Sequence, residues 1–510
     1  MNNSDNHRDK STVAAGAGFS LAGRGISALL GLFFYRYLNH FLGLEQAGLL
    51  LLAFSVISLT VPLAQFGIPI GIQKFVAVAF SKKNWNKVRG AIFSSLQIVT
   101  LTTVTVIILL MIFAPEISSI FTNNPEKAKY AEKLPGIVRI YSFYLLPSVI
   151  LAVLLSVLRA MRKIIPTFVI DNVYTPAAWL GLVFLIGSFS YFQNKVPALI
   201  IGFICIISVG VIIAILFLKK IVPLVKTAAI DYCRKELILF STPLLFRSFL
   251  QMFLQIDKLM IGYFCSFSMI MIYVCSVALA KQSSFIMSAF ASLFSPMIAE
   301  LHSKGDKDGL NDLYKTVTRW CMAFALPVIV IVMLVPELLL RFLGIVDSPD
   351  ACLTVRIIAV GQIMSVAVGN TGGMLVMTNY PWLTFANNVV AVILNIILNI
   401  ILIPKFGIVG AAIATCIAII VRNLAALVEV KKFLSMSPFS LSLLRIVGCV
   451  LVAGSAVILF RKNIGEIKWW LELFYCFVIF GGIYSPIMWV SMHKDDKMFI
   501  MKIIKNRAKR

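Results

Sequence analysis

The sequence predicts an all-α, polytopic membrane protein of about 14 transmembrane helices, two six-helix lobes related as a parallel repeat plus two C-terminal helices. Composition is the first reason: of 510 residues 60% are hydrophobic and 13% charged, with a mean hydropathy of +0.94. A soluble domain carries roughly twice that charged fraction, about 25%. The second is that apolar windows of about 20 residues, the length that crosses the hydrocarbon core as a helix, recur from end to end with short connections. The third is an internal similarity at a shift of about 222 residues, taken up below.

Taken in order, the polar start MNNSDNHRDKSTVAAG has neither a cleavage pattern nor a lipidation motif, so the first span, Ala17 to Leu38, is expected to be an uncleaved anchor. Span two runs from Ala47 to Phe66, and an apolar continuation from Gly67 to Phe80 leads to the loop SKKNWNK. Spans three and four enclose the longest outside loop, Pro115 to Gly136. Spans five and six, Ile164 to Ser188 and Val196 to Leu218, precede a basic linker from Lys219 to Lys235. Further on, apolar segments from Gly361 to Met377 and from Leu383 to Ile403 flank the turn Thr378-Asn379-Tyr380-Pro381. Asn388, Asn395 and Asn399 share one face of the second segment, a face that must look into protein because lipid cannot satisfy it. Pro404 is expected to stop that helix, with Gly407 and Gly410 bracketing a turn before the small residues Ala411, Ala412, Ala414 and Thr415. Spans thirteen and fourteen cover Leu443 to Phe460 and Trp469 to Met492.

The net charge of +24 would suggest nucleic acid in a soluble chain. Here it follows topology. With both termini cytoplasmic, inside segments hold about three times as many Lys and Arg as outside ones, as the positive-inside rule requires. No nucleic-acid partner is expected; the tail from Lys494 to Arg510 suits anionic lipid headgroups. The nine cysteines are scattered without a C-x-x-C and the four histidines lie far apart, so neither disulfide frame, metal site nor cofactor is expected.

The repeat lays Arg24 of span one on Arg247 of span seven, and AFSKKN (79–84) on ELHSKGD (300–306). Six spans per copy is an even number, so both copies enter the membrane the same way up. The expected divisions are residues 1–228 for the first lobe, 229–432 for the second, and 433–510 for the last two spans and the tail.

Four stretches carry a family resemblance: N-x3-N-x2-LIP-x-FG-x2-GAAIAT (395–415), FGIPIGIQKFVA (66–77), IDKLMIGYF (256–264) and LFSPMIAELHSKGDKDGLNDLYKTVTRW (293–320). Together they resemble the polysaccharide transporter, or oligosaccharide flippase, family of the multidrug/oligosaccharidyl-lipid/polysaccharide exporter superfamily. The resemblance spans nearly the whole chain and implies fourteen spans where drug-exporting relatives have twelve.

Ionisable groups inside spans carry the chemistry, because each costs about 2.5–3.5 kcal/mol at a helix centre. Arg24 shares a face with Ser20, Ser27 and Gly31; Arg247 begins a stripe through Gln251, Gln255 and Lys258; Lys281 heads Ser284, Ser288, Ser292 and Ser295. Burying all three stripes asks for a water-filled cavity between the halves with a cationic wall. Such a wall suits phosphate, and the pyrophosphate of a lipid-linked oligosaccharide fits what the resemblance implies. Arg24, Arg247 and Lys281 are then candidate phosphate ligands, and Gln251, Gln255 and Asn370 candidate sugar ligands. The alternative is that these groups pair with one another or cap broken helices. Lys74, Arg36, Arg139, Arg341 and Arg356 are expected near span ends. Asp257, with Asp171 as a second acid, is a candidate for proton or sodium coupling or a counter-ion to Lys281 or Arg247.

Without a G-x4-G-K-[ST] loop the chain is not expected to hydrolyse ATP. An integral polymerase or ligase would need an outside loop bearing an acid/base pair, and none is apparent. A drug exporter's cationic cargo would ask for an acidic cavity. The reading is therefore a non-enzymatic flippase for polyprenyl-(pyro)phosphate-linked oligosaccharide, working by alternating access in a prokaryotic cytoplasmic membrane. Membrane lipids and a polysaccharide polymerase or glycosyltransferases are its expected partners.

Overall fold

The structure is a computed structural model that describes residues 3–122, 127, 129–130, 132–188, 195–222, 231–253, 256–464 and 467–491. The side chains of residues 3–22, 164, 246, 247, 251, 293 and 491 lie outside that description. All regular structure among the described residues is helical. That is the expected result for chains in lipid, where every backbone N–H and C=O must find its partner within the segment. Ten described helical segments are long and apolar enough to cross a membrane, or eleven if one bent pair is a single span. Two of the ten are themselves folded pairs. Helix α1 (Asn3–Gln65) breaks at Gly43 (φ 74°), and the 49-residue helix near the end of the chain (Pro381–Glu429) breaks at Gly407 (φ 55°, ψ −131°). Opened at these left-handed positions, the described helices are compatible with fourteen crossings.

By contacts the chain divides into two units, residues 1–275 with 396–411, and residues 276–395 with 412–510. The expected divisions at residues 228 and 432 rest on the internal similarity of the sequence and do not coincide with these units.

In the first unit, α1 is followed by α2 (Ile68–Ser81), α3 (Trp85–Phe121), α4 (Lys133–Ser142), α5 (Leu145–Ala160) and α6 (Ile164–Val169). A π-helical turn (Ile170–Tyr174) leads to α7 (Thr175–Ser188), then α8 (Lys195–Ile221), α9 (Arg234–Phe253), α10 (Asp257–Phe264) and α11 (Phe267–Ala280), which runs into the second unit. The long outside loop is shorter than expected because α3 continues through Pro115 to Phe121. An aromatic seam of Phe34, Trp179 and Phe203 joins α1, α7 and α8, with ring centroids 5.2–6.2 Å apart. Phe66 (φ 49°) and Gly67 (φ 68°) separate α1 from α2. A Cβ at Gly67 would lie 2.5 Å from the Ser241 carbonyl of α9, so close packing as well as backbone angle asks for glycine there. Buried Lys127 donates to the carbonyls of Gly262 and Tyr263, at 2.9 Å each, closing the C-terminal end of α10.

The second unit contains α12 (Ser284–Ser303), α13 (Lys307–Leu334), α14 (Pro336–Phe342), α15 (Pro349–Val368), α16 (Thr371–Met377), the arms of α17 (Pro381–Glu429), α18 (Leu441–Asn463) and α19 (Trp469–Ser491). Helix α13 packs on α12, α15 and α18. Ile298, Leu310, Tyr314, Met374, Leu375 and Val430 form an apolar cluster. Two expectations are corrected. The segment from Gly361 to Met377 is not one span: α15 ends at Gly369 (φ 69°), and Asn370 restarts the chain as α16. Tyr314 Oη donates to the freed carbonyl of Val368 at 2.8 Å, which satisfies the break. The helix bearing the asparagines does not stop at Pro404 but at Gly407, since a proline costs one hydrogen bond whereas the reversal itself needs a left-handed residue. The expected amide face is there: Asn395 and Asn399 are buried, and Asn395 Nδ2 donates to Thr415 Oγ1 at 3.3 Å across the bend.

The two loops aligned by the repeat have the same backbone. In the first unit Lys83 is left-handed (φ 55°), Asn84 N donates to Ala79 O, and the Asn84 side chain caps α3 by accepting from Lys87 N. In the second, Gly305 is left-handed (φ 71°), Asp306 N donates to Leu301 O, and the Asp306 side chain caps α13 by accepting from Gly309 N. Each is a Schellman-type stop followed at once by a capped helix.

Candidate functional site

The reversal at Gly407 lays the arms of α17 antiparallel within the second unit. Asn387 Nδ2 donates to Glu429 Oε2 at 2.7 Å, and Asn423 Nδ2 donates to Ser365 Oγ of α15 at 2.8 Å. Between these arms, the α15–α16 break and Met287 of α12 lies a cavity of about 270 Å³. Its wall is polar for a membrane span: Asn370, Thr384, Asn387, Asn388, Arg422 and Asn423 all line it. Asn370 Oδ1 accepts from Gly373 N at 3.2 Å, so the residue that lines the cavity also caps α16. Arg422 is half-buried and makes no hydrogen bond or ion pair among the described residues. Carboxamides and hydroxyls in such a wall suit sugar hydroxyls, and a guanidinium suits an oxyanion.

Of the sequence-predicted residues whose side chains are described, Asn370 alone lines this cavity. Arg24 lies on α1 in the first unit, half-buried, next to Gly23, where α1 approaches the Phe168 ring so closely that a Cβ would require the ring to move. Arg247 and Gln251 belong to α9, but their side chains lie outside the described residues, as does Gln255 altogether. Lys281 is exposed, and it sits between α11 and α12, which bend by 50° there, so it does not head a continuous stripe. The serines after it are turned inward to their own helix: Ser288, Ser292 and Ser295 donate to Phe285, Ala289 and Ala291 carbonyls at 2.6–3.0 Å. Ser284 Oγ contacts Gln362 Oε1 at 3.3 Å. Asp257 is buried in the first turn of α10 and accepts from Tyr273 Oη at 2.7 Å. Among the described residues no cluster of His, Cys, Asp or Glu could hold a metal ion. Sequence reasoning missed Arg422. A single arginine in the apolar run CIAIIVRNLAALV was the available signal.

The fold, with ten or eleven described helices long and apolar enough to cross a membrane, is that of a multi-pass membrane protein. The MatE family model matches residues 17–177. An uncharacterized membrane protein of Methanocaldococcus jannaschii is 23% identical over 462 residues, covering 86% of this chain and 87% of that one. A probable low-salt glycan biosynthesis flippase of Haloferax volcanii, Agl15, is 28% identical over 183 residues, 35% of this chain and 38% of that protein. Among solved structures, the lipid II flippase MurJ in an inward closed conformation superposes with a TM-score of 0.66 at 18% identity, over 95% of this chain and 99% of that one. In sequence the chain is thus similar to probable flippases of Haloferax volcanii, and in fold to the lipid II flippase. The Haloferax volcanii relatives are named as probable flippases, and the solved neighbours as a lipid II flippase and multidrug transporters.

Proposed function

We propose that the chain flips a polyprenyl-(pyro)phosphate-linked oligosaccharide across the cytoplasmic membrane for cell-surface glycan synthesis, with both termini in the cytoplasm. Two six-helix lobes, residues 1–228 and 229–432, rock about a central cationic cavity while the polyprenyl tail stays in lipid. Arg24, Arg247 and Lys281 bind the phosphates, Gln251, Gln255 and Asn370 the sugars, and Asp257 serves as coupling site or counter-ion. The matching turns at Lys83 and Gly305 support the two-lobe division. The observation that carries the reading is the sign of the intramembrane charge: the half-buried Arg24 and Arg422 are cations, and Arg422 faces a wall of carboxamides. Likeness to the Haloferax volcanii glycan flippase supports the cargo class.

A cation-exporting reading draws on the MatE match. One experiment separates the two. Deleting the gene and probing polyprenyl-linked glycans with a membrane-impermeant sugar-modifying reagent is expected to show accumulation on the cytoplasmic side. The wild-type chain restores sidedness, whereas Arg24→Ala at normal abundance does not. Unchanged sidedness with new sensitivity to cationic drugs would overturn the flippase reading.

A further inference from the structure

The cavity of the second unit divides its polar wall into two sets. Asn387 and Asn423 spend their amides on Glu429 and Ser365, and Asn370 spends its carbonyl on α16; these groups hold the wall in place. Arg422, Asn388 and Thr384 are not spent. Arg422 and Asn388 make no hydrogen bond or ion pair among the described residues, and Thr384 Oγ1 is buried without a partner. A fold ordinarily satisfies such groups, so three of them around one cavity point to something the cavity receives.

Register brings them together. Asn395 meets Thr415 across the bend, and moving about two helical turns away from the bend on both arms arrives at Asn388 and Arg422. Thr384 lies about one further turn along the face of Asn388. The cavity, about 270 Å³, falls below the roughly 300–1,000 Å³ typical of drug-sized ligands, the scale of one substituted sugar ring.

We propose that this cavity is a subsite for an oxyanion flanked by hydroxyls, as in a phosphorylated or uronic sugar, with Arg422 forking onto the oxyanion and Asn388 and Thr384 taking the neighbouring hydroxyls. Naming a sugar rests on the flippase reading; the need for an oxyanion rests on the geometry alone. An anionic lipid headgroup presents the same chemistry, and the test separates the two sources.

The full chain in phosphatidylcholine nanodiscs is titrated with glucose 1-phosphate, glucuronate, inorganic phosphate and glucose, reading binding by calorimetry and by thermal midpoint. At least one sugar anion is expected to bind tenfold or more tighter than glucose. Arg422→Gln is expected to lose tenfold or more of that affinity, and Arg422→Lys to keep part of it. Should Arg422→Gln fail to fold, Asn388→Ala and Thr384→Val serve instead, each losing several-fold for the sugar anion with inorganic phosphate unaffected. Stabilisation by phosphatidylglycerol nanodiscs that depends on Arg422, with no response to sugar anions, confirms the oxyanion site and assigns it to a headgroup. Binding that is equal in wild type and variants, or equally tight for glucose, overturns the proposal. Failure here leaves the flippase reading standing, since that reading is decided by glycan sidedness in the deletion strain. Unchanged sidedness overturns the flippase reading and leaves the Arg422 result standing.

Discussion

Two regions of the second unit handle cationic charge in opposite ways. Where α13, α14, α15, α18 and α19 meet, the charges form a chain: Arg356 to Glu337 at 2.6 Å, Glu337 to Arg461 at 3.5 Å, Arg461 to Glu472 at 2.9 Å. Arg461 also donates to the Leu334 carbonyl at 2.9 Å, one of the orphan acceptors at the end of α13. Every charge in that chain has a partner, and the chain ties α18 and α19 to α13. In the amide-lined cavity Arg422 has none among the described residues. Paired charge is what a fold uses to hold itself; unpaired charge beside a cavity is what it keeps for a ligand.

Stability measurements can break this contrast. Arg461→Ala should cost the most, about 1–3 kcal/mol by unfolding in detergent, between the ~0.2–1 kcal/mol of exposed pairs and the ~3–5 kcal/mol of breaking buried ones. Its side chain is 29% exposed, which places it between those limits. Replacing both Arg461 and Glu472 by Met should cost less than the two single losses summed, with a coupling of about 0.5–1.5 kcal/mol; strict additivity would mean that the pair does not act as one. Arg422→Gln should change stability by less than about 0.5 kcal/mol, because Arg422 makes no hydrogen bond or ion pair among the described residues. A loss as large as that of Arg461→Ala would make Arg422 a structural residue and erase the distinction. The smallest effect lies outside the spans, at Cys233. Burial first, and then the nearby Glu236 carboxylate, push its thiol above its ordinary range, while the Ser94 hydroxyl works the other way. The thiol is therefore more fully protonated near neutral pH than a free cysteine. Alkylation of Cys233 should be slow at neutral pH and rise with alkalinity, and Glu236→Gln should speed it modestly.

How far the sequence reveals this molecule depends on which force writes the feature. The helices are legible because lipid demands long apolar runs, and the buried face of Asn395 and Asn399 is legible because lipid excludes amides. The breaks are not. Gly369 and Gly407 resemble the other glycines of apolar runs, and only tertiary packing decides which take the left-handed turn. Pro404 looks like the stronger stop yet lies inside the helix. The serines after Lys281 show why a polar stripe is an unsafe guide to a wet surface, since a hydroxyl can be satisfied by its own preceding turn. Arg422 was hidden for a related reason: what marks it is the absence of a neighbour, and neighbours are set by the fold.

The two matching turns differ at their left-handed position, where Lys83 occupies a backbone that Gly305 occupies freely. A side chain in the left-handed region costs on the order of 1 kcal/mol, so glycine would be the easier residue at position 83. On the orientation proposed above, that lysine sits with Lys82 and Lys87 in the cytoplasmic loop before α3, and positive charge in such short loops helps decide which way a nascent chain threads. Lys83→Gly should then yield a slightly more stable folded protein and a larger fraction inserted upside down, a trade between the finished molecule and the direction in which it is first laid into the bilayer.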